Sequence, residues 1–466
     1  MLRIFKQYYP IRNIFFFIGE GIAIFAAVMV ACWIILNIGL FGFDRWLCFK
    51  IFLISVVCQM CLYYYDLYDL KVIDNFKELG VRLLQALGTA AIILAGIYLA
   101  FPETIVGTGI FAVSIIFVII LIVSWRFFYG LILKYGLFNQ KIILLGSGLL
   151  AQNILTEIID RKDSGYMVAV NVLDSLENSD NSCYRLDTKI ICKKDYEGLC
   201  ELAEQLDIKK IVVAIKERRG TLPLKELIKC RVKGIDIIEG TSFYEMLAGK
   251  LIVDQINPAW IIFSEGFYKT RTRRFIKRGV DLTISLTMLI LFSPLIIVTA
   301  ILIKIDSTGP VLFFQERIGK NKKPYMVYKF RSMVENAERL SGPVWALDND
   351  KRITRVGRVI RKWRIDELPQ LWNVLKGDMS FVGPRPERGF FVEQLEEVIP
   401  YYGERFSIKP GVTGWAQVCY GYGASVDDAV EKVNYDLFYI KNMSVFMDLM
   451  IIMRTIKIVL FGKGAR

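Results

Sequence analysis

Four long apolar runs near the start of the chain, approximately Ile14–Ile38, Trp46–Tyr65, Val81–Phe101 and Gly109–Leu131, constrain everything else. A helix crossing the bilayer core needs about 20 consecutive apolar residues, and each run meets that length. Hydrocarbon leaves every backbone polar group to be satisfied within the segment, so helices are the expected form. The first run is too long for a signal peptide, and no small-residue cleavage site follows it. Arg3, Lys6 and Arg12 precede it, Lys71 and Lys77 lie between the second and third runs with Arg82 at the very start of the third, and Lys134 and Lys141 follow the fourth. The other connections carry Asp44, Arg45 and Lys50, or no basic residue. The positive-inside bias therefore places both ends of this block, residues 1–135, in the cytoplasm. Glu20 is the one obvious charge inside the runs, where an interfacial position is expected, and no matched pair of broken helices occurs. An anchor is expected, not a channel or transporter.

The rest of the 466 residues is not membrane-like. The chain is 54% hydrophobic yet 23% charged, so soluble domains must accompany the spans. A net charge of +13 implies anionic company, either phosphorylated ligands or acidic headgroups, and the membrane content argues against nucleic acid. There is no histidine, which excludes Ser-His-Asp and Cys-His catalysis and histidine-ligated metals. The nine cysteines are scattered, and Cys58 and Cys61 fall in an apolar run where helix packing explains them better than a metal or redox site.

Residues 136–260 read as an α/β domain. Lys141–Leu145, Met167–Leu173, Lys210–Ile215 and Ile235–Ile238 have strand character, alternating with helical Leu149–Asp160, Tyr196–Gln205 and Leu222–Val232. That alternation predicts a parallel, Rossmann-like sheet. The first strand-to-helix turn, Gly146-Ser147-Gly148-Leu149-Leu150-Ala151, matches GxGxxA. It admits a nucleotide phosphate or merely a tight turn. Asp174 is the only fair candidate for a ribose-binding acid and no catalytic base follows, so a structural or regulatory fold is favoured.

Residues 261–466 form the third region. The basic run Tyr268–Arg278 precedes the apolar segment 279–303, which could pass for a fifth span. Ser293-Pro294 interrupts its middle, and proline removes a helix hydrogen bond there. The chain after Lys304 is rich in Lys and Arg, so a hairpin that enters the membrane and returns to the cytoplasmic face is expected. The apolar Val445–Phe461 is expected to lie along the interface.

Two strands, Val311–Ile318 and Tyr325–Met333, then flank a lysine-rich turn. Alternation puts Gln315 with Arg317, and Lys329 with Arg331, on common faces suited to an anion. Arg352, Arg355, Arg358 and Arg361 follow, the last three at a spacing that could line one helical stripe. Adjacent carboxylates Asp366 and Glu367 come next, with Pro369 starting a helix that Gly377 ends. Helix dipole and arginines should keep a carboxylate here ionised, able to attack phosphorus or hold Mg²⁺. The same pair also suits an ordinary capped helix. The Pro384-Arg385-Pro386 turn, which holds one arginine with little chain freedom, favours the chemical reading.

The segments FFQERIGKNKKPYMVYKFRSM, DELPQLWNVLKGDMSFVGPRP and KPGVTGWAQV resemble the bacterial sugar transferases, the polyprenyl-phosphate hexose-1-phosphate transferases or monotopic phosphoglycosyl transferases. The resemblance covers about Phe267 to Arg466, and the preceding spans and α/β domain resemble the large members of that family. The terminal Gly464-Ala465-Arg466 and the RIDELPQ variant resemble exopolysaccharide- and exosortase-associated members. The family's Asp-Glu dyad falls on Asp366-Glu367, its preceding arginine on Arg361, the KFRSM lysine on Lys329 and the PRP arginine on Arg385. Its C-terminal aspartates fall on Asp436 and Asp448. Where the family has serine before the dyad this chain has Arg364, whose role stays open.

The resemblance implies a membrane-anchored α/β enzyme of the bacterial inner membrane, multi-pass, with its catalytic domain on the cytoplasmic face. It would transfer a hexose 1-phosphate from a UDP-sugar to undecaprenyl phosphate and release UMP, as a first step of exopolysaccharide or O-antigen synthesis. Asp366 would be the nucleophile, Glu367 its partner, both near Mg²⁺. Arg317, Lys329, Arg331, Arg352, Arg361, Arg364, Arg385, Asp436 and Asp448 would face substrate, and Ser293-Pro294 would break the membrane hairpin. The absence of histidine suits a good leaving group and an already anionic nucleophile. An NAD-dependent nucleotide-sugar-modifying enzyme and a non-catalytic assembly or sensor module remain as alternatives, and the oligomeric state stays open, a homodimer included.

Overall fold

The computed structural model describes residues 2–4, 7–9, 11–37, 44–68, 76–107, 109–134, 139–161, 164–173, 189–192, 196–215, 222–256, 264, 266–334, 352–421, 423 and 425–461. Asp174 and Gly464-Ala465-Arg466 lie outside them. Beyond the first seven residues the chain divides into two compact units, Tyr8–Ile238 and Glu239–Arg466.

The first unit opens with helices α1 (Ile11–Leu36), α2 (Arg45–Tyr64), α3 (Phe76–Ala100) and α4 (Ile110–Lys134). All four are long and apolar enough to cross a membrane. Small and branched residues, among them Ala27, Ala31, Ile51, Ile54 and Ala86, fill their shared core and let the backbones approach. Cys58 and Cys61 are part of that core.

One expectation fails here. Glu20 is not interfacial but fully buried, because Arg126 of α4, an arginine hidden in an apolar run, pairs with it. Arg126 Nε and Nη2 donate to Glu20 Oε1 at 2.8 and 2.6 Å, while Nη1 donates to the Leu67 carbonyl at 2.5 Å. The bundle therefore carries a buried ion pair linking its first and fourth helices.

The α/β part contains β1 (Gln140–Leu145), α5 (Leu149–Asp160), β2 (Tyr166–Leu173), β3 (Lys189–Cys192), α6 (Leu199–Gln205), β4 (Lys210–Val213), α7 (Leu224–Val232) and β5 (Asp236–Glu239). The strands form one sheet in the order β3-β2-β1-β4-β5. β1 runs parallel to β2 and β4, and β2 parallel to β3. Ile143, Leu145, Val170 and Val172 alternate onto one buried face against Leu199, Cys200 and Leu227 of the helices. At the glycine turn, Gly146 has φ +123°, and a Cβ there would lie 2.7 Å from the Ala214 carbonyl oxygen. Backbone packing alone thus requires this glycine.

The second unit begins with α8 (Gly240–Ala248). Sequence alone groups residues 239–260 with the middle domain, whereas here Glu245 accepts from Lys441 and Asn442, and Lys250 pairs with Glu431 at 2.8 Å. Then come α9 (Arg271–Leu291) and α10 (Ser293–Asp306), bent by 61° at the break. Pro294 lies in the first turn of α10, and Ser293 Oγ donates to the Ile290 carbonyl, whose helical i+4 donor would be the N–H that Pro294 lacks. Strands β6 (Leu312–Ile318) and β7 (Pro324–Phe330) form an antiparallel hairpin. The remaining elements are α11 (Arg355–Lys362), α12 (Gln370–Lys376), β8 (Ser380–Val382), α13 (Gly389–Val398), β9 (Gly411–Thr413), α14 (Trp415–Cys419), α15 (Val426–Asn442) and α16 (Val445–Leu460). β8 and β9 pair in parallel beside the core of Leu371, Val433, Leu437, Tyr439 and Met447.

Helix α9 is apolar on one side only. Leu286, Ile290 and Leu291 are exposed, whereas Asp281 and Ser285 are buried. Asp281 accepts from Ser380 Oγ at 2.8 Å and from the Phe381 amide at 3.1 Å, and Arg278 donates to the Val374 and Leu375 carbonyls at the end of α12. The polar face of α9 is thereby part of the second unit's own core.

Candidate active site

Local capping brings the carboxylates into place. Helix α11 begins where Thr354 Oγ1 accepts the Gly357 amide at 2.9 Å and Asp306 accepts the Val356 amide at 3.0 Å. Past Lys362 the chain reverses at Arg364, which takes the left-handed conformation with φ +56°. A residue with a side chain costs about 1–2 kcal/mol in that region, so this turn is held by its surroundings. The 3₁₀ turn Ile365–Glu367 follows, then Pro369 and α12, ended by Gly377 with φ +101°. Asn373, buried on α12, accepts the Tyr328 amide at 3.0 Å and donates to the Met326 carbonyl at 2.7 Å. That pair of bonds fixes β7 against α12, and with it Lys329 against the dyad.

Glu367 is the electrostatic centre. Its Oε1 accepts from Arg385 Nη2 at 2.8 Å and Lys329 Nζ at 3.3 Å, with Arg364 Nη1 at 3.9 Å. Burial pushes its carboxyl up, but Arg385, Lys329 and Arg364 outweigh burial and hold it well below the carboxylate range. Asp366 behaves differently. Burial and then the neighbouring Glu367 charge raise it to about 6 against the pull of Lys329, Arg364 and Arg361. The arginines expected to keep a carboxylate here ionised act most strongly on Glu367, while Asp366 is shifted the other way. Asp366 Oδ1 is buried and has no hydrogen-bond partner among the described residues.

The other sequence-derived site residues separate into two groups. Lys329, Arg364 and Arg385 surround Glu367, and Arg361 acts on Asp366 through its charge. Arg317 lies on the same hairpin face as Lys329 but grips the arginine-bearing loop, donating to the Pro386 carbonyl at 3.2 Å and lying 3.6 Å from Glu387. Arg331 is turned elsewhere: its Nη2 donates to the Ser307 carbonyl at 2.7 Å and Oγ at 2.9 Å, securing the end of α10. The Arg352 carbonyl accepts the Val334 amide beside the Met333–Ile353 bridge. Asp436 is buried against Arg405 at 2.7 Å. Asp448 is buried between Lys277, 2.8 Å away, and the Tyr439 hydroxyl, 2.6 Å away. Both aspartates are internal ion-pair partners rather than open ligands. Arg405 was not legible as a functional residue; its only signal is a place just before KPGVTGWAQV.

Among the described residues no group of three or more Cys, Asp or Glu side chains forms a metal cluster. Mg²⁺ commonly takes only one or two carboxylates and completes its shell with substrate phosphate and water. The unpartnered Asp366 Oδ1 fits that use, whereas Glu367 Oε1 is already occupied by cations.

Fold and site together define a membrane-anchored α/β protein with a cation-rich carboxylate pair suited to phosphate chemistry. The family model for bacterial sugar transferases matches residues 272–462. A UDP-N-acetylgalactosamine-undecaprenyl-phosphate N-acetylgalactosaminephosphotransferase of Aeromonas hydrophila is 46% identical over 242 residues, 52% of this chain and 56% of that protein. An undecaprenyl-phosphate glucose phosphotransferase of Komagataeibacter xylinus is 44% identical over 194 residues, 41% of this chain and 36% of that one. The chain thus spans about half or less of the length of these two relatives. An undecaprenyl-phosphate galactose phosphotransferase of Salmonella typhimurium is 31% identical over 348 residues, 71% of this chain and 70% of its own length. The chain belongs to the bacterial sugar transferase family.

Proposed function

We propose that the protein transfers a sugar 1-phosphate from a UDP-sugar to undecaprenyl phosphate, releasing UMP, on the cytoplasmic face of the bacterial inner membrane. The observation that carries this reading is the division of labour within the dyad: three cations engage Glu367, while Asp366 keeps an unpartnered oxygen beside them. In the first half-reaction Asp366 forms a bond to the β-phosphorus. The bond from that phosphorus to the bridging oxygen breaks, and UMP leaves with the electron pair. In the second, an oxygen of the lipid phosphate forms the new bond to phosphorus and Asp366 departs as carboxylate. Neither step requires net proton transfer, which accords with a chain without histidine.

Lys329, Arg385 and Arg364 keep Glu367 ionised and offer positive charge where phosphate oxygens gather. Bound Mg²⁺ would supply further neutralisation of the diphosphate, with Asp366 as a protein ligand. The bent pair α9–α10 is read as a re-entrant hairpin, since its exposed apolar side chains suit lipid and its polar face belongs to the unit bearing the dyad. The five-stranded sheet is read as a Rossmann-like scaffold, a role supported by the packing demand on Gly146. The names of the relatives support UDP-sugar and undecaprenyl phosphate as substrate classes.

The test is isotope exchange. Labelled UMP should enter UDP-sugar in the absence of lipid phosphate, across a panel of UDP-sugars. A preparation that completes transfer with lipid but shows no such exchange overturns the covalent route. One that completes no transfer with any UDP-sugar overturns the function.

A further inference from the structure

Arg385 owes its place at Glu367 to a loop with unusual anchorage. Its flanking prolines have no N–H to donate, so the loop is held through its carbonyls. Four successive carbonyls accept a bond. The Gly411 amide donates to Pro384 at 2.9 Å, Arg405 Nη2 to Arg385 at 3.2 Å, Arg317 Nη1 to Pro386 at 3.2 Å, and the Ile318 amide to Glu387 at 2.9 Å. Two donors are backbone amides, and the other two are guanidinium groups.

Arg405 lies in the 3₁₀ turn Tyr402–Ser407 and is 5% exposed. Its Nη2 also donates to Asp436 Oδ2 on α15 at 2.7 Å, and Nη1 donates to the Tyr402 hydroxyl at 2.7 Å. The guanidinium carbon lies 5.0 Å from the centre of the Tyr402 ring. A carbonyl needs only a neutral donor, yet here a fully desolvated ion pair supplies it. The planar fork, fixed at one side by Asp436 and at the other by Tyr402, allows Nη2 little freedom in where it points. The carbonyl it holds belongs to the residue whose side chain reaches Glu367 at 2.8 Å.

We propose that Arg405, fixed by Asp436 and Tyr402, is a positioning residue that sets the Arg385 guanidinium against Glu367. The inference rests on the phosphotransfer reading of the dyad and takes Asp436 out of the substrate-facing set. A pair that merely cements α15 to the loop would affect stability and leave the chemistry alone, so the two roles separate in a double-mutant cycle.

Arg405→Lys keeps a charge for Asp436 but loses the fork. Misplacing Arg385 should slow sugar-phosphate transfer about 100-fold, mainly in kcat. In an Arg385→Ala background the same substitution should change the residual rate by less than about threefold, because its effect acts through Arg385. Hydrogen exchange of the amides of residues 383–391, followed in the full-length protein without substrate, should be faster in Arg405→Lys. Asp436→Asn repeats each measurement by a second route should Arg405→Lys not fold. Equal rate effects in both backgrounds, or unchanged exchange in this loop, overturn the proposal. Absence of transfer by the unaltered protein overturns the proposed function instead, and the exchange measurement still decides the role of Arg405.

Discussion

Two glutamate–arginine contacts, Glu20–Arg126 and Glu367–Arg385, serve opposite purposes. In the membrane block, Arg126 and Glu20 are 1% and 0% exposed, and Arg126 closes on a single carboxylate oxygen. In the catalytic unit, Arg385 and Glu367 are 31% and 10% exposed, and Lys329 and Arg364 crowd the same oxygen as Arg385. The first pair is balanced and sealed. The second has more positive charge than its glutamate needs, a second carboxylate alongside, and a route to solvent. A closed pair contributes to assembly, whereas a surplus of cations beside a second carboxylate is where the proposed reaction would seat phosphate.

The contrast fails most visibly at Asp366. Asp366→Asn should lower transfer by about 10,000-fold or more while the protein still folds, as measured by UMP release and thermal unfolding. Retained activity would remove the functional half of the comparison. Next comes Arg126→Met, which leaves Glu20 buried without its partner and should destabilise the first unit by about 3–5 kcal/mol, read from unfolding in detergent. The activity of the molecules that stay folded should be unchanged. Adding Glu20→Leu should recover most of the loss; a double variant as unstable as the single would show that the pair is not a self-contained structural unit.

The smallest expected effect concerns protons. Asp366 is raised from 3.8 to about 6, so the ionised form that the proposed route requires disappears below that pH, and the rate should fall about tenfold per unit there. The stability contribution has the opposite sense. A carboxyl whose folded value is raised contributes stability that is complete below pH 4 and lost as pH rises through about 6. Asp366→Asn should therefore stabilise the protein by about 1–3 kcal/mol at pH 8 and hardly at all at pH 4. Equal gains at both pH values would mean that charge burial is not the cause.

The parts legible in the sequence share a local origin. Apolar length gave α1 to α4, residue pattern gave β1, β2 and β4 to β7 but not the short β3, β8 and β9, and the Pro369…Gly377 signals bracketed α12. The Ser293-Pro294 break also lies where the chain bends. What escaped sequence reading depends on partners far apart in the chain. Arg126 sits in a run apolar enough to conceal it, and Glu20 looks solitary until α1 and α4 are brought together. Arg331, Asp436 and Asp448 carry charges that motif reading turns toward substrate, but Ser307, Arg405 and Lys277 claim them first. The split between Asp366 and Glu367 is equally hidden, because adjacent carboxylates acquire different affinities for protons only from burial and from which of them the cations touch.

The two-sided character of α9 bears on how the protein can be handled. Lys277 and Asp281 knit one side of that helix to Asp448 and Ser380. On its other side, and on α10, Leu286, Ile290, Leu291, Ile297, Val298 and Ile301 are each at least half exposed and need lipid or detergent to cover them. Removing the first four helices would therefore not yield a water-soluble enzyme, because residues 239–466 retain an apolar surface of their own. Any surfactant chosen for purification becomes the neighbour of a helix that also builds the catalytic core.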